Sequence, residues 1–285
     1  MPHDNSPHPA SINRDSKDYW NKRAATFTRY ATEDYERWLM DLLSPAMGET
    51  ILDMGCATGT LALPLARAGH HVHACDFAEA MLTILDQRAA AENLPITSHL
   101  LAWDEDWSRA GLGENSVDCA FASRSLMSDH TLSRISKLDA TARVKAAVVV
   151  PNSLPPSSDP RLLTYLGRKA KRPSTVREVL RALRYLGRIP VTATTNTYRP
   201  MRFNSFDEAR ADLRRLARPE PFTAREQRLF DAYARDHFIE VPAVQPANGL
   251  SNDHSDSPQT QWVLNYPLPV VWTFIGWRTD GSEWE

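Results

Sequence analysis

The stretch Ile51-Leu52-Asp53-Met54-Gly55-Cys56-Ala57-Thr58-Gly59-Thr60 puts small residues at every second position after a short apolar run. Gly55, Ala57 and Gly59 let a ligand approach the backbone closely, and a helix starting just beyond offers free N–H groups to an anionic group. Seventeen positions after Gly59, at the end of a second apolar run, stands Asp76. An acid there accepts hydrogen bonds from both hydroxyls of a ribose, so the constellation describes a nucleoside-binding crevice. Spacing narrows the choice. A dinucleotide fingerprint is GxGxxG, whereas this chain has GxAxG with Asp53 two residues before the first Gly. A phosphate-binding P-loop needs GxxxxGK followed by Ser or Thr, and none is present.

The elements that must position these residues alternate regularly. Thr50–Met54, Val72–Cys75, Ile96–Leu101, Val117–Ala122 and Val144–Val150 read as short strands, with helical spacing over Leu61–Arg67, Ala78–Asn93 and Asp129–Ala142. This alternation predicts right-handed crossovers and a parallel sheet buried on both faces. Ahead of it, Asp18 to Leu43 is helical until Pro45 and Gly48 break the chain. Beyond Pro151 the pattern gives a loop over 151–160, a helix Thr175–Leu186 capped near Ser174, and a β-branched strand Pro190–Tyr198. Charged helices over 205–217 and 223–238, a loop from Pro242 to Pro258 and a final strand Val270–Trp277 complete it. Residues 1–15 are a polar tail with no face to bury.

With its first motif in view, the sequence resembles the class I S-adenosylmethionine-dependent methyltransferases. Their (D/E)xGxGxG motif is matched by Asp53, Gly55, Ala57 and Gly59, with Ala57 departing from the middle Gly, and their second-strand acid by Asp76. The likeness covers residues 18 to about 150 and extends to the last strand. It implies a Rossmann-like α/β fold: a mostly parallel seven-stranded sheet with helices on both faces, a helical lid over 16–48, a cofactor-binding core over 49–150 and a helical insertion before the last strand. Residues 16–285 would form one domain, with a substrate cap over about 203–266. The implied roles are a turn at Gly55 and Gly59 beneath the methionine moiety, Asp53 at its ammonium, Asp76 on the ribose and Phe77 near the adenine. Trp103 and Asp104 stand where the family places an acid near the adenine amino group. Tyr19, Trp20 and Arg23 resemble the segment that covers the cofactor in small-molecule members, and Ser123 closes the fourth strand beside it.

After that strand, Phe121-Ala122-Ser123-Arg124-Ser125-Leu126-Met127-Ser128-Asp129-His130 is where acceptor chemistry sits in such enzymes. It lacks the (N/D)PPY tetrapeptide used on exocyclic amino groups. Arg124 is a candidate for holding an acidic acceptor. His130 is a candidate general base, with a surface helix start as its plainer reading. His71 and His73 would share a strand face, but with no third ligand nearby in sequence they are read as structural and no metal is expected. Cys56, Cys75 and Cys119 read as small hydrophobes in core strands. From Arg161 to Arg188 there are nine Arg or Lys and a single acid, Glu178. An amphipathic helix with its arginines in water is favoured there over an RNA-binding face, because no aromatics interleave.

Composition supports the same choice. Among 285 residues, 33 Lys+Arg against 35 Asp+Glu give a formal net charge of -2, which argues against a polyanion-gripping protein. No apolar run reaches a membrane span, and three unpaired cysteines point to a reducing, cytoplasmic setting. The resemblance therefore implies a transferase that moves a methyl group from S-adenosyl-L-methionine, leaving S-adenosyl-L-homocysteine, to a small-molecule acceptor. Tyr233, Phe238, Trp262 and Tyr266 are read as lining its apolar pocket. Nucleic acid and membrane are not expected as partners. Methylation of RNA or protein, and a non-catalytic cofactor-binding interaction module, stand as alternatives, and N, O, S and C all remain open as the methylated atom.

Overall fold

The computed structural model describes residues 16–27, 33–126, 130–152, 158–169, 175–199, 201–217, 221–242 and 260–284. Residues 1–15, Ser174 and Met127–Asp129, all used in the sequence reading, lie outside the described residues. The chain divides into two compact units. The first contains the described residues up to Val150, then Arg177–Ala193 and Phe274 onward; the second contains Pro151–Val176 and Thr194–Thr273. The stretch read as one domain comprises both.

In the first unit, α1 (Lys17–Phe27) and α2 (Glu33–Leu43) precede the alternating core. The sequence treats them as one continuous helical stretch; the structure makes two helices. Then follow β1 (Thr50–Met54), α3 (Ala62–Arg67), β2 (His71–Asp76), α4 (Glu79–Ala91), β3 (Ile96–Leu100), β4 (Val117–Ser123), α5 (Thr131–Thr141) and β5 (Ala142–Pro151). A 3-10 turn, Trp107–Ala110, interrupts the connection from β3 to β4. Later come α6 (Pro160–Tyr165), α7 (Thr175–Tyr185) and β6 (Pro190–Tyr198). Further along are β7 (Arg202–Phe203), α8 (Phe206–Arg215), α9 (Ala224–His237), β8 (Phe238–Pro242), β9 (Thr260–Leu264) and β10 (Pro269–Arg278).

The main sheet has seven strands in the order β3-β2-β1-β4-β5-β10-β6. The pairs β1–β2, β1–β4, β2–β3 and β4–β5 are all parallel. All seven are the strands the sequence predicts. The central runs are apolar because both faces are covered there, as the nearly unbroken burial of Ile51–Met54 and of Ala146–Pro151 shows, whereas the edge strands β3 and β6 are only partly buried. The order reverses at β1, whose neighbours are β2 and β4, and ligands bind such sheets at the carboxyl ends of strands at that switch point. Helix α7 keeps Val179, Ala182 and Leu183 buried and Arg177, Arg181 and Arg184 exposed, which is the amphipathic face read from the sequence.

The second unit corrects the expectation of a purely helical insertion. Its α8 and α9 pack with a three-stranded sheet, order β7-β9-β8, antiparallel in both pairings. Tyr233, Phe238 and Tyr266 belong to its buried core, and Trp262 packs against that core. They stabilise the unit, because the short strands need aromatic bulk to cover one face. Helix starts here are strongly capped: Asp159 accepts from the Arg161 and Leu162 N–H groups, and Thr223 and Glu226 form a capping box.

Candidate functional site

The chain leaves the sheet at Gly55. Register places Asp53 opposite Ala74 on β2 and Phe121 on β4, so its side chain is walled by strands on either hand. The N–H groups of Gly55 and Cys56 both donate to the Cys75 carbonyl, at 2.7 and 3.0 Å, which turns the backbone sharply. Gly55, Ala57 and Gly59 all take positive φ, at 84°, 49° and 89°. A Cβ on Gly55 would lie 2.2 Å from the Ser125 Cβ, so the turn packs directly on Ser125 and leaves no space for a side chain at position 55. Ser125 backs it, its hydroxyl donating to the Met54 carbonyl at 2.5 Å. Nothing local in the sequence marks Ser125 for this task, since its partner lies on another strand.

Two carboxylates sit beneath the turn. Asp76 Oδ2 accepts from the Ala57 N–H and Oδ1 from the Ala78 N–H, both at 2.9 Å, so one side chain ties the glycine turn to the start of α4. Burial raises the Asp76 carboxyl above its ordinary value, against the pull of the Ala78, Ala57 and Phe77 N–H groups. Asp53 is 2% exposed, and its Oδ2 has no hydrogen-bond partner among the described residues. Burial, helped by the neighbouring Asp76 charge, pushes its carboxyl up to about 8. A buried carboxylate oxygen without a donor is a costly arrangement for a chain to keep, and a ligand with an N–H to give would relieve it.

Helix α1 lies against this turn. Ala24 packs with Ala78 and Met81, and Trp20, Phe27 and Ala57 border the same cluster. The Asn21 side-chain oxygen Oδ1 accepts from the Ala80 N–H at 3.0 Å, satisfying a donor in the first turn of α4. Tyr19 accepts from Arg23 at 2.8 Å and meets Trp20 edge-on at 5.4 Å. The structure therefore places Tyr19, Trp20 and Arg23 on the helix that borders the turn.

At the end of β4, the Ser123 hydroxyl bonds the Tyr35 hydroxyl of α2 at 2.6 Å. Arg124 has φ 61° and sets its guanidinium 3.5 Å from the centre of the Tyr35 ring. Burial raises the Tyr35 hydroxyl, opposed by the Arg124 charge. His130 is exposed at the start of α5 and makes no side-chain cap bond. After β3, the Leu101 N–H donates to the Asp76 carbonyl at 2.9 Å, so the Trp103-Asp104 loop begins beside the ribose candidate. Trp103 packs on Trp107 at 5.4 Å, while Asp104 is largely exposed and pairs with Arg134 at 3.7 Å. Lys137 of α5 donates to the Trp103 and Glu105 carbonyls, both at 2.7 Å, anchoring the loop. Phe77 is half-buried.

Sheet pairing supplies a third histidine that sequence proximity misses. His73 Nδ1 and His99 Nε2 lie 3.0 Å apart across β2 and β3, with the His71 ring 4.8 Å from that of His73. Among the described residues, no group of three or more His, Cys, Asp or Glu is arranged to hold a metal ion. Burial, then the His71 and His99 charges, lowers His73 to about 4. Cys56, Cys75 and Cys119 are buried, and burial pushes the Cys119 thiol up to about 12, far from a reactive thiolate.

Residues 51–145, which contain all of β1 but its first residue and the first four residues of β5, match the family model described as a methyltransferase domain. That stretch is similar to a methyltransferase domain. Over 127 residues (44% of this chain), the sequence is 31% identical to 46% of an uncharacterized protein of Haemophilus influenzae. A further match of 51 residues, 18% of this chain, is 43% identical to 21% of a demethylmenaquinone methyltransferase of Clavibacter sepedonicus. The chain thus spans less than half the length of the curated relatives it matches. Among solved structures, Haemonchus contortus phosphoethanolamine N-methyltransferase 2, in complex with phosphomonomethylethanolamine and S-adenosylhomocysteine, is similar with a TM-score of 0.51. That likeness, at 13% identity, covers 93% of this chain and 58% of the other. It bears on the fold, and the main sheet has the seven strands expected from the sequence.

Proposed function

We propose that the protein is an S-adenosylmethionine-dependent methyltransferase that passes a methyl group to a small-molecule acceptor by in-line displacement. The observation that carries the reading is the unpartnered Asp53 oxygen, buried below a turn whose Gly55, Ala57 and Gly59 all take positive φ. An ammonium supplies the donor that this oxygen lacks. Asp76 takes the ribose hydroxyls, because a carboxylate has acceptor sites to spare after its two backbone bonds. Phe77 and Trp103 flank the adenine, Asp104 meets its amino group, and Ser123 and Tyr19 border the remainder. When bound, S-adenosylmethionine supplies a sulfonium methyl already activated for displacement, and S-adenosylhomocysteine is its product.

The chain's own part is alignment and exclusion of water, with α1 as the cover. Arg124 holds an acidic group of the acceptor, and His130 takes its proton where one must leave. A small acceptor is favoured by the near-balanced charge and by the relative named demethylmenaquinone methyltransferase. Three buried free cysteines fit a reducing cytoplasm. No described helix is long and apolar enough to cross a membrane.

Calorimetric titration with S-adenosylhomocysteine, using NADH as control, tests the reading. Saturable binding of the first and none of the second is expected. Binding of neither, or of NADH alone, overturns it.

A further inference from the structure

We infer that the outward face of helix α7 is a docking surface for an anionic lipid bilayer. Arg177, Arg181 and Arg184 are all exposed, and spacings of four and three place them in one stripe. None of the three has an ion pair or a side-chain hydrogen bond among the described residues. The one acid of the helix, Glu178, is used elsewhere: it accepts from the Thr131 hydroxyl of α5 at 3.4 Å. Two large apolar side chains stand at the C-terminal end of the stripe. Tyr185 is 78% exposed and Ile189 is 87% exposed, which among the described large hydrophobic residues only Met47 exceeds. Gly187, at φ 70°, ends the helix, and the Arg188 N–H donates to the Leu183 carbonyl at 2.8 Å, so Ile189 follows directly on the last turn.

A single exposed hydrophobe is ordinary, and arginines alone are a solvated face, which is why the sequence reading expects no membrane partner. Their conjunction changes that. Cations without acid partners meet anionic head groups, while a tyrosine and an isoleucine beside them enter the boundary between head groups and acyl chains. A nucleic-acid backbone would use the arginines and leave Ile189 in water, so charge and apolar exposure together favour lipid over RNA. The face is also firmly held. Val179, Ala182 and Leu183 bury the inner side of α7, and α5 grips it at both ends, through Thr131 on Glu178 and through Asp139 on Arg188 at 2.8 and 3.0 Å. Docking therefore uses side chains already in water and leaves the buried side of the helix in place. Neither Asp53 nor the glycine turn takes part, so this surface and the methyl-donor site stand or fall separately.

Co-sedimentation of the full chain with vesicles is the test, using equal parts phosphatidylglycerol and phosphatidylcholine against pure phosphatidylcholine. Binding to the anionic vesicles is expected, falling as salt rises, with far less binding to the neutral ones. An arginine near such a surface is worth roughly fivefold, so Arg181→Gln combined with Arg184→Gln should weaken vesicle binding about twenty-five-fold and flatten the salt dependence. Tyr185→Ser combined with Ile189→Ser should weaken it several-fold and leave the salt dependence as it is. Both double variants replace exposed side chains and should keep the wild-type melting temperature and S-adenosylhomocysteine affinity. No binding to anionic vesicles, equal binding to neutral ones, binding indifferent to the arginine pair, or capture by polyuridylate without capture by vesicles would each overturn the inference. Failure of S-adenosylhomocysteine to bind, with the vesicles still bound, would sink the proposed function and leave this surface standing.

Discussion

If Asp53 meets the ammonium of the methyl donor as proposed, affinity for that donor should depend on pH. In the free protein its carboxyl is held up to about 8 by burial and by Asp76, so near neutrality it is mostly protonated. Only the ionised form pairs with an ammonium, so binding must first remove that proton. For a group with its pKa near 8, the apparent affinity should rise roughly fiftyfold from pH 6 to pH 8, about 2.3 kcal/mol, and flatten above. Close to one proton per site should be released at pH 7. Calorimetry with S-adenosylhomocysteine, in buffers of different ionisation enthalpy, measures both quantities. 5′-Methylthioadenosine lacks the amino-acid end and should show no such slope, and Asp53→Asn should remove it. A pH-independent affinity, or an equal slope for methylthioadenosine, would refute the reasoning. The same shift has a sign for the free fold. A folded pKa above the unfolded value stabilises fully at low pH, and that contribution is lost as pH rises through about 8.

Other substitutions probe the turn and the sheet edge. Gly55→Ala should cost about 3 kcal/mol, combining strain at φ 84° with the clash on Ser125, and the double variant with Ser125→Gly should recover part of it in urea melts. Ala57→Gly should be neutral or stabilising by up to about 1 kcal/mol, since φ is 49° there; a loss above that would mean its packing on α1 outweighs the strain. His73 is lowered to about 4, so its contribution is present above about 6.5 and fades as pH falls toward 4. His71, His99 and Thr97 are its polar neighbours on β2 and β3, and His73→Gln should flatten the denaturant midpoint across that window.

The sequence makes the main sheet legible because parallel strands buried on both faces must be apolar along their length, as Val148–Val150 are. The second sheet escapes that logic. Arg202–Phe203 is too short to show a period, and Thr260–Leu264 becomes a strand by pairing with Phe238–Pro242. Helix α6 carries a readable start, Asp159 before Pro160, yet its single turn and a half of chain has no periodicity to support it. Positions in the site divide the same way. Gly55, Gly59 and Asp53 are marked by local spacing, whereas Ser125 behind Gly55, Tyr35 beneath Arg124 and His99 beside His73 arrive through strand register and helix docking. Asp76 is legible as an acid at a strand end, but its backbone bond to Ala57 joins residues nineteen apart and has no local signature.

The bond from the Ala80 N–H to Asn21 gives α1 a second meaning. That helix not only borders the glycine turn; it also completes the hydrogen bonding of α4, whose first turn follows closely on Asp76. Movement of α1 away from the turn strips an acceptor from α4 and wets Ala78 and Met81 in the same event. On the proposed reading, a ligand that passes beneath α1 must therefore disturb a helix start in the core, so the cover and the wall of the crevice share one hydrogen bond.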